Sequence, residues 1–300
     1  MAALGSIVSP VPFKDVVHEE EDEHRPEEYA NIISTLPSIT TSFGPLVLYE
    51  GVWLRPWIVP GVIAVQQRFA PRPDDVLLAN PPKCGTTWLK ALSLATMARA
   101  TYPPSGADHP LLRLNPHDCI PHLEALFSAG QEAKLEDMLV SMWHFIMAAG
   151  GAAFPFSDLF ESACDGKNPH SPIWDHILGY WRASKASPER VLFLRYEEML
   201  LDPVSSVREL ALFLGVPFTA AEEAAGSPMD ICRLCSINTM KDLDANNTGV
   251  FGQFLKFPNR SFFREGVVGD WANHMTPEMA RRIDAVVEDK LGGSGLSFTC

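Results

Sequence analysis

Apolar residues along this chain fall into two kinds of run. Short continuous runs, Val76-Leu77-Leu78-Ala79 and Val191-Leu192-Phe193-Leu194-Arg195-Tyr196, predict buried strands. Runs with apolar positions three and four apart predict helices. One follows residue 85 and runs to Met97. A second spans 135 to 148, with Leu135, Met138, Leu139, Met142, Phe145 and Ile146 recurring on one face. A third opens at Ser171-Pro172, serine as N-cap and proline at the first position, with Ile173, Trp174, Ile177, Leu178 and Trp181 as its apolar face. Val204 to Leu214 predicts another, with Pro203 at its start. The last begins at Thr276-Pro277-Glu278 and shows Met279, Ile283, Val286, Val287 and Leu291 on one side. Residues 31 to 70 predict irregular structure with short strands, and residues 101 to 122, rich in Pro and His, predict loop. Alternation of strand and helix predicts an α/β fold with a parallel sheet. The pattern has a hole: between residues 80 and 190 no convincing strand occurs, although a parallel sheet with members at 75–80 and 191–196 needs more between them.

The junction of the first strand and helix carries the candidate chemistry. It reads Pro81-Pro82-Lys83-Cys84-Gly85-Thr86-Thr87-Trp88. Backbone N–H groups of a first helical turn lack internal partners, and the helix dipole favours negative charge there. Gly85 lets the backbone approach a ligand, Lys83 adds a cation, and Thr86 and Thr87 add donors, so a phosphate-bearing ligand is the expected occupant. A Walker A loop is ruled out, because Lys83 precedes Gly85 and no glycine stands five residues upstream; G-x-G-x-x-G is absent from the loop as well.

Composition changes the picture only at the edges. A formal net charge of -13 argues against nucleic acid as a partner, because phosphate backbones need a basic patch. Much of that acidity sits in residues 18–28, so residues 1 to 30 predict an acidic, flexible tail ahead of a single domain from 31 to 300. The six cysteines are scattered; Cys232-Arg233-Leu234-Cys235 lacks the second pair that zinc requires, so no metal is expected and free thiols fit best. No secretory signal is evident and no apolar stretch has the length of a membrane span, which makes the cytoplasm the expected compartment.

The loop, followed by LGYWRASKASPERVLFLRYEEML and then FFREGVVGDWANHMTPEM, resembles the cytosolic sulfotransferase family, and its plant members most. NPHDCIPHLE at 115–124 and VSMWHF at 140–145 are similar to plant members too. The resemblance implies a three-layer α/β domain, a parallel sheet flanked by helices, related to nucleotide kinases. It implies transfer of a sulfuryl group from 3′-phosphoadenosine 5′-phosphosulfate (PAPS) to a small hydroxylated acceptor such as a flavonoid, a steroid or a hydroxylated jasmonate. No metal, nucleic acid or membrane enters, and a homodimer is left open. Position by position, the resemblance makes Lys83, Cys84, Gly85, Thr86, Thr87 and Trp88 contacts of the 5′-phosphate side, with Trp88 against the adenine. Tyr196 lies near the adenine, and Ser141, Arg264 and Gly266 near the 3′-phosphate. Lys83 neutralises the leaving oxygen.

Two departures from the family pattern stand out. In the family, the block like NPHDCIPHLE leads into a strand ending in the histidine that acts as base, and then into a strand ending in an arginine that grips the 3′-phosphate. Here Leu123 to Glu136 runs straight into Asp137-Met138-Leu139-Val140-Ser141, so a few dozen residues with both groups are missing between Glu136 and Asp137, together with central strands. Glu265 also stands where the family has lysine. Of the histidines nearby, His117, His122 and His144 are expected to be loop or packing residues rather than the base. The chain is therefore expected to be a sulfotransferase by descent, or a catalytically impaired relative or incomplete gene product that binds nucleotide weakly or not at all. A P-loop kinase is disfavoured by the misplaced lysine. Unpaired sheet edges predict low solubility.

Overall fold

The computed structural model describes residues 11–16, 29–72, 75–120, 135–148, 153–251 and 257–296. Its best-formed sheet is small and antiparallel: β1 (Ser38–Thr41), β2 (Gly44–Tyr49) and β3 (Val52–Leu54), in that order. The β2–β3 turn is Glu50-Gly51, both at positive φ (48° and 85°), the primed hairpin geometry whose twist matches the strands. These are the short strands expected between 31 and 70. Unforeseen was the helix Val59–Arg68 behind them, which buries Val59 and Ile63 against Val47 and Leu54.

The helices follow the apolar pattern closely. Helices span Thr86–Ala98, Leu135–Ala148, Ile173–Ala186, Pro203–Phe213 and Pro277–Leu291. Thr276 caps the last, its hydroxyl accepting from the Met279 N–H at 3.2 Å, and Asp202 caps the fourth by accepting from the Ser205 N–H at 3.0 Å. Ser171 does not cap its helix as expected. Its carbonyl accepts from the Trp53 N–H at 2.8 Å, while the His170 N–H donates to Trp53 O at 2.7 Å, so the segment extends β3 and Pro172 becomes the boundary residue. The helix Thr86–Ala98 is buried on nearly every side: Leu89, Ala91, Leu92, Leu94, Ala95 and Ala98 pack with Leu111, Val207, Leu210 and Ile231.

The two sequence-expected strands run differently. Residues 75–80 and 191–195 are extended but join no ladder among the described residues, and Tyr196 begins the helix Tyr196–Leu201 instead of ending a strand. Both touch the core of the Thr86–Ala98 helix, through Leu78 and Leu192 at its border and Leu194 inside it. Val76 and Leu77, by contrast, are 41% and 50% exposed. A strand is completed by a neighbour's N–H and C=O groups, and no ladder joins these segments among the described residues.

Within the N-terminal stretch read as a tail, Phe13–Val16 form a helical turn whose Asp15 pairs with Arg113 and whose Lys14 pairs with Asp118 at 3.3 Å. The acidic run 18–28 lies outside the described residues. No described helix is long and apolar enough to cross a membrane.

Candidate active site

The loop ahead of the Thr86–Ala98 helix is held from below by Asn80, which is buried and donates from Nδ2 to Thr86 Oγ1 at 2.7 Å. Lys83 (φ 69°) and Gly85 (φ 80°) are both left-handed, with Cys84 between them outside that region. Such alternation turns successive N–H groups toward one concave point, an anion-binding nest. The first N–H with an acceptor inside the helix is Leu89, to Gly85 O at 2.9 Å, so those ahead of it point outward at the positive end of the dipole. Gly85 is required twice. Its φ favours glycine, and a Cβ there would lie 2.9 Å from Tyr196 Cδ2. Tyr196 in turn meets the Trp88 ring edge-on, with centroids 5.8 Å apart. Gly85, Trp88 and Tyr196, chosen from sequence, thus meet, whereas the Cys84 side chain is buried in the core.

The opposite side comes from two distant segments. Lys83 Nζ lies 4.0 Å from the Phe145 ring centroid and 5.6 Å from that of Phe262. Phe145 stacks on Phe257, centroids 4.2 Å apart and planes at 10°. Ser141 is one turn ahead of Phe145 on the same helix, at the spacing that shares a face. Arg264 follows Phe262 closely and is near enough to Lys83 that its guanidinium disfavours the lysine's charge. Gly266 (φ 66°) packs where a Cβ would come within 3.0 Å of Ile237 Cγ2. Glu265, between Arg264 and Gly266, is exposed.

The electrostatics of this pair of cations is informative. Burial, with Arg264 second, pushes the Lys83 amine down to about 7 from its ordinary 10.5. No carboxylate pairs with Lys83 among the described residues. Arg264 is anchored by Asp270, whose carboxyl it holds below the usual range, yet the Arg264 Nε–H is buried without a hydrogen-bond partner among the described residues. A buried Lys83 without a carboxylate partner among the described residues, beside an Arg264 with an unpartnered Nε–H, is the chemistry of a site that receives an anion. The same arrangement can stabilise negative charge developing on an oxygen.

The histidines divide. His144 sits edge-on to His274, centroids 5.1 Å apart, and His274 Nε2 lies 3.5 Å from Asp270. Burial, then Arg264 and His274, hold the His144 imidazole below its ordinary value. His117 is more than the loop or packing residue that sequence suggested. It is buried and stacks on Phe262 at 4.2 Å; Nε2 lies 2.9 Å from Thr87 Oγ1, and Nδ1 lies 3.3 Å from Lys90 Nζ. Sequence reasoning also missed Asn80 and Lys90. His122 and the junction side chains of Glu136 and Asp137 lie outside the described residues. Among the described residues the cysteines are free, and no cluster of His, Cys, Asp and Glu could hold a metal ion.

Comparison with known proteins meets this geometry from another side. The sulfotransferase domain family model matches in two pieces, residues 73–136 and 132–295, which overlap at 132–136. Cytosolic sulfotransferase 1 of Arabidopsis thaliana is 38% identical over 321 residues, covering 92% of this chain and 96% of the relative. A flavonol 3-sulfotransferase of Flaveria bidentis is 38% identical over 309 residues, covering 89% of this chain and 98% of the relative. An alignment of 321 residues that covers 92% of a 300-residue chain leaves a few dozen of the relative's positions without a counterpart here. Among solved structures, a candidate steroid sulphotransferase of Arabidopsis thaliana superposes with a TM-score of 0.71 at 29% identity, over 95% of this chain and all of that one. A mouse sulfotransferase complexed with PAP shares the fold, with a TM-score of 0.59 at 23% identity, over 83% of this chain and 95% of that one. The α/β sulfotransferase fold expected from sequence is thus the fold of this chain, with its parallel ladders absent among the described residues. The chain belongs to the sulfotransferase family, of the plant cytosolic type.

Proposed function

We propose that the chain binds PAPS in this site and that its inherited reaction, sulfuryl transfer to the hydroxyl of a small molecule, is impaired. The observation that carries the binding half is the closeness of Arg264 to Lys83, which stands in the left-handed loop at 83–85. The residues fit the group: Lys83 lacks a carboxylate partner among the described residues, and Arg264 has a buried, unpartnered N–H. Lys83, Cys84, Gly85, Thr86 and Thr87 would hold the 5′-phosphate side, and Trp88 and Tyr196 would wall the adenine. Ser141, Arg264 and Gly266 would face the 3′-phosphate. When bound, PAPS supplies the activated sulfuryl group.

The chain's own part is positioning and charge. In the transfer, the acceptor oxygen bonds to sulfur as the sulfur–oxygen bond to the leaving phosphate breaks. Lys83 neutralises the charge that collects on that phosphate. The acceptor also gives up a proton, and a positioned base for that proton is worth about 10²–10⁴ in rate. The two-piece family match at 132–136 supports the reading that the block bearing the family's base histidine and phosphate-gripping arginine is absent. Glu265 removes a further cation from the 3′-phosphate side. The names of the relatives support a cytosolic location, and a flavonol, steroid or jasmonate type of acceptor fits the family. The bulk of the chain from residue 31 reads as one domain.

The test pairs binding with turnover. Adenosine 3′,5′-bisphosphate should raise the melting temperature, and the rise should continue with the logarithm of its concentration above Kd. Labelled sulfate transfer to a panel of flavonols, steroids and hydroxylated jasmonates should run at least a hundredfold below that of an Arabidopsis thaliana relative. Stabilisation by ATP alone would shift the reading to a kinase, and stabilisation by neither nucleotide would overturn it.

A further inference from the structure

Lys90, His117 and Thr87 form a chain of hydrogen bonds that ends in the anion loop. Lys90 is 4% exposed, three residues beyond Thr87 on the same helix, so both side chains lie on one face. Its Nζ donates to Ile120 O at 2.7 Å and meets His117 Nδ1 at 3.3 Å. An ammonium has only hydrogens to give. With Lys90 charged, His117 Nδ1 accepts, the ring hydrogen sits on Nε2, and Nε2, 2.9 Å from Thr87 Oγ1, donates to it. The Thr87 hydroxyl then accepts on its inner side, and its own hydrogen is left to point outward.

The ring has little freedom to do otherwise. It lies between Phe262 at 4.2 Å and Phe251 at 5.1 Å, and its backbone N–H donates to Asn115 Oδ1 at 3.0 Å. Asn115 is itself tied to Asn246 by a buried hydrogen bond of 2.9 Å. The clamp reaches from the 115–119 turn to the segment that carries Phe262 and, two residues on, Arg264.

The geometry points to His117 as a positioning residue: it relays the Lys90 donor to Thr87 and sets the Thr87 hydroxyl as a donor to the anion held by the loop. The inference rests on the nucleotide-binding reading of that loop. Every bond in the chain runs in the same sense, from cation to anion, and aligned donors polarise one another. Preorganised donors cost nothing to orient when the ligand arrives.

The experiment is a double-mutant cycle on adenosine 3′,5′-bisphosphate affinity, measured by titration calorimetry, with nitrogen-15 NMR of the histidines in the free protein. His117→Phe keeps the ring stack and removes both hydrogen bonds. It should weaken binding about tenfold, and His117→Gln, which can still donate at the Nε2 position, should recover most of the loss. Thr87→Val should weaken binding by a similar factor, and His117→Phe should add almost nothing to it, because the histidine acts through the hydroxyl. A purely structural histidine would give additive losses instead, and that overturns the inference. So does a His117 carrying its hydrogen on Nδ1. If the unaltered chain binds no nucleotide, the functional reading fails first and takes this one with it. If it binds and the cycle is additive, only the relay is lost.

Discussion

The two sides of the anion site face each other with unequal equipment. On the loop side, everything is local: Lys83 to Trp88 come from one stretch of chain, their conformation is set by two left-handed residues, and the helix behind them is fully packed. The far side is assembled from the Leu135–Ala148 helix and the 257–266 segment. Its Arg264 is shared with Asp270, and Glu265 follows that arginine in the chain. The difference teaches that a site half built from a single strand-to-helix junction depends on local chain alone, whereas one built from several elements depends on how they pack.

The largest test is to restore the far side. Inserting the corresponding block of Arabidopsis thaliana cytosolic sulfotransferase 1 between Glu136 and Asp137 should raise sulfate transfer by about 10²–10⁴-fold, the worth of a positioned base. No gain in a soluble, folded insertion variant would mean that the block is not what limits this chain. Next in size, Lys83→Met should weaken adenosine 3′,5′-bisphosphate binding by roughly 10- to 100-fold, the worth of a charge-assisted bond to phosphate. Arg264→Ala should cost less, because its charge is already shared with Asp270. Equal losses measured by calorimetry would erase the contrast between the sides.

Acidity sharpens the same contrast. Lys83 lies at about 7 in the folded protein against an ordinary 10.5, so between those values the free folded chain binds fewer protons than the unfolded one. Stability of the free protein from this group therefore rises with pH across that window. Anion affinity, which needs the charged amine, should fall there by up to about tenfold per pH unit. Calorimetry in buffers of different ionisation enthalpy should show proton uptake on binding at pH 8; its absence would remove Lys83 from the phosphate. A smaller effect is expected at Gly85. Gly85→Ala should cost about 1–2 kcal/mol from the left-handed backbone, read as a lowered melting temperature, and should displace Tyr196. Smallest of all, Glu265→Lys should tighten nucleotide binding about threefold at low salt. The gain should vanish near 1 M salt, where exposed charges are screened.

How much of this was legible in the sequence depends on distance along the chain. The helices at 135–148, 203–213 and 277–291 were readable because apolar spacing and capping residues act within a few positions. The anion loop was readable for the same reason. The segments 75–80 and 191–195 have strand composition but no ladder among the described residues, because a strand's partner is supplied from elsewhere. The tight β1–β2–β3 hairpins make the point in reverse: their partners lie next to them in sequence, and the ladder forms. Val76 and Leu77, apolar in pattern, are left exposed.

By itself the sequence determined the family and marked the loop ahead of the Thr86–Ala98 helix, since each is written in adjacent residues. Only the tertiary structure decided that Lys83 lies over Phe145 beside Arg264, that Asp270 holds that arginine, and that His117 links Lys90 to Thr87. Those contacts join residues far apart in the chain. Their strength depends on burial and on a few tenths of an ångström, which no local pattern encodes.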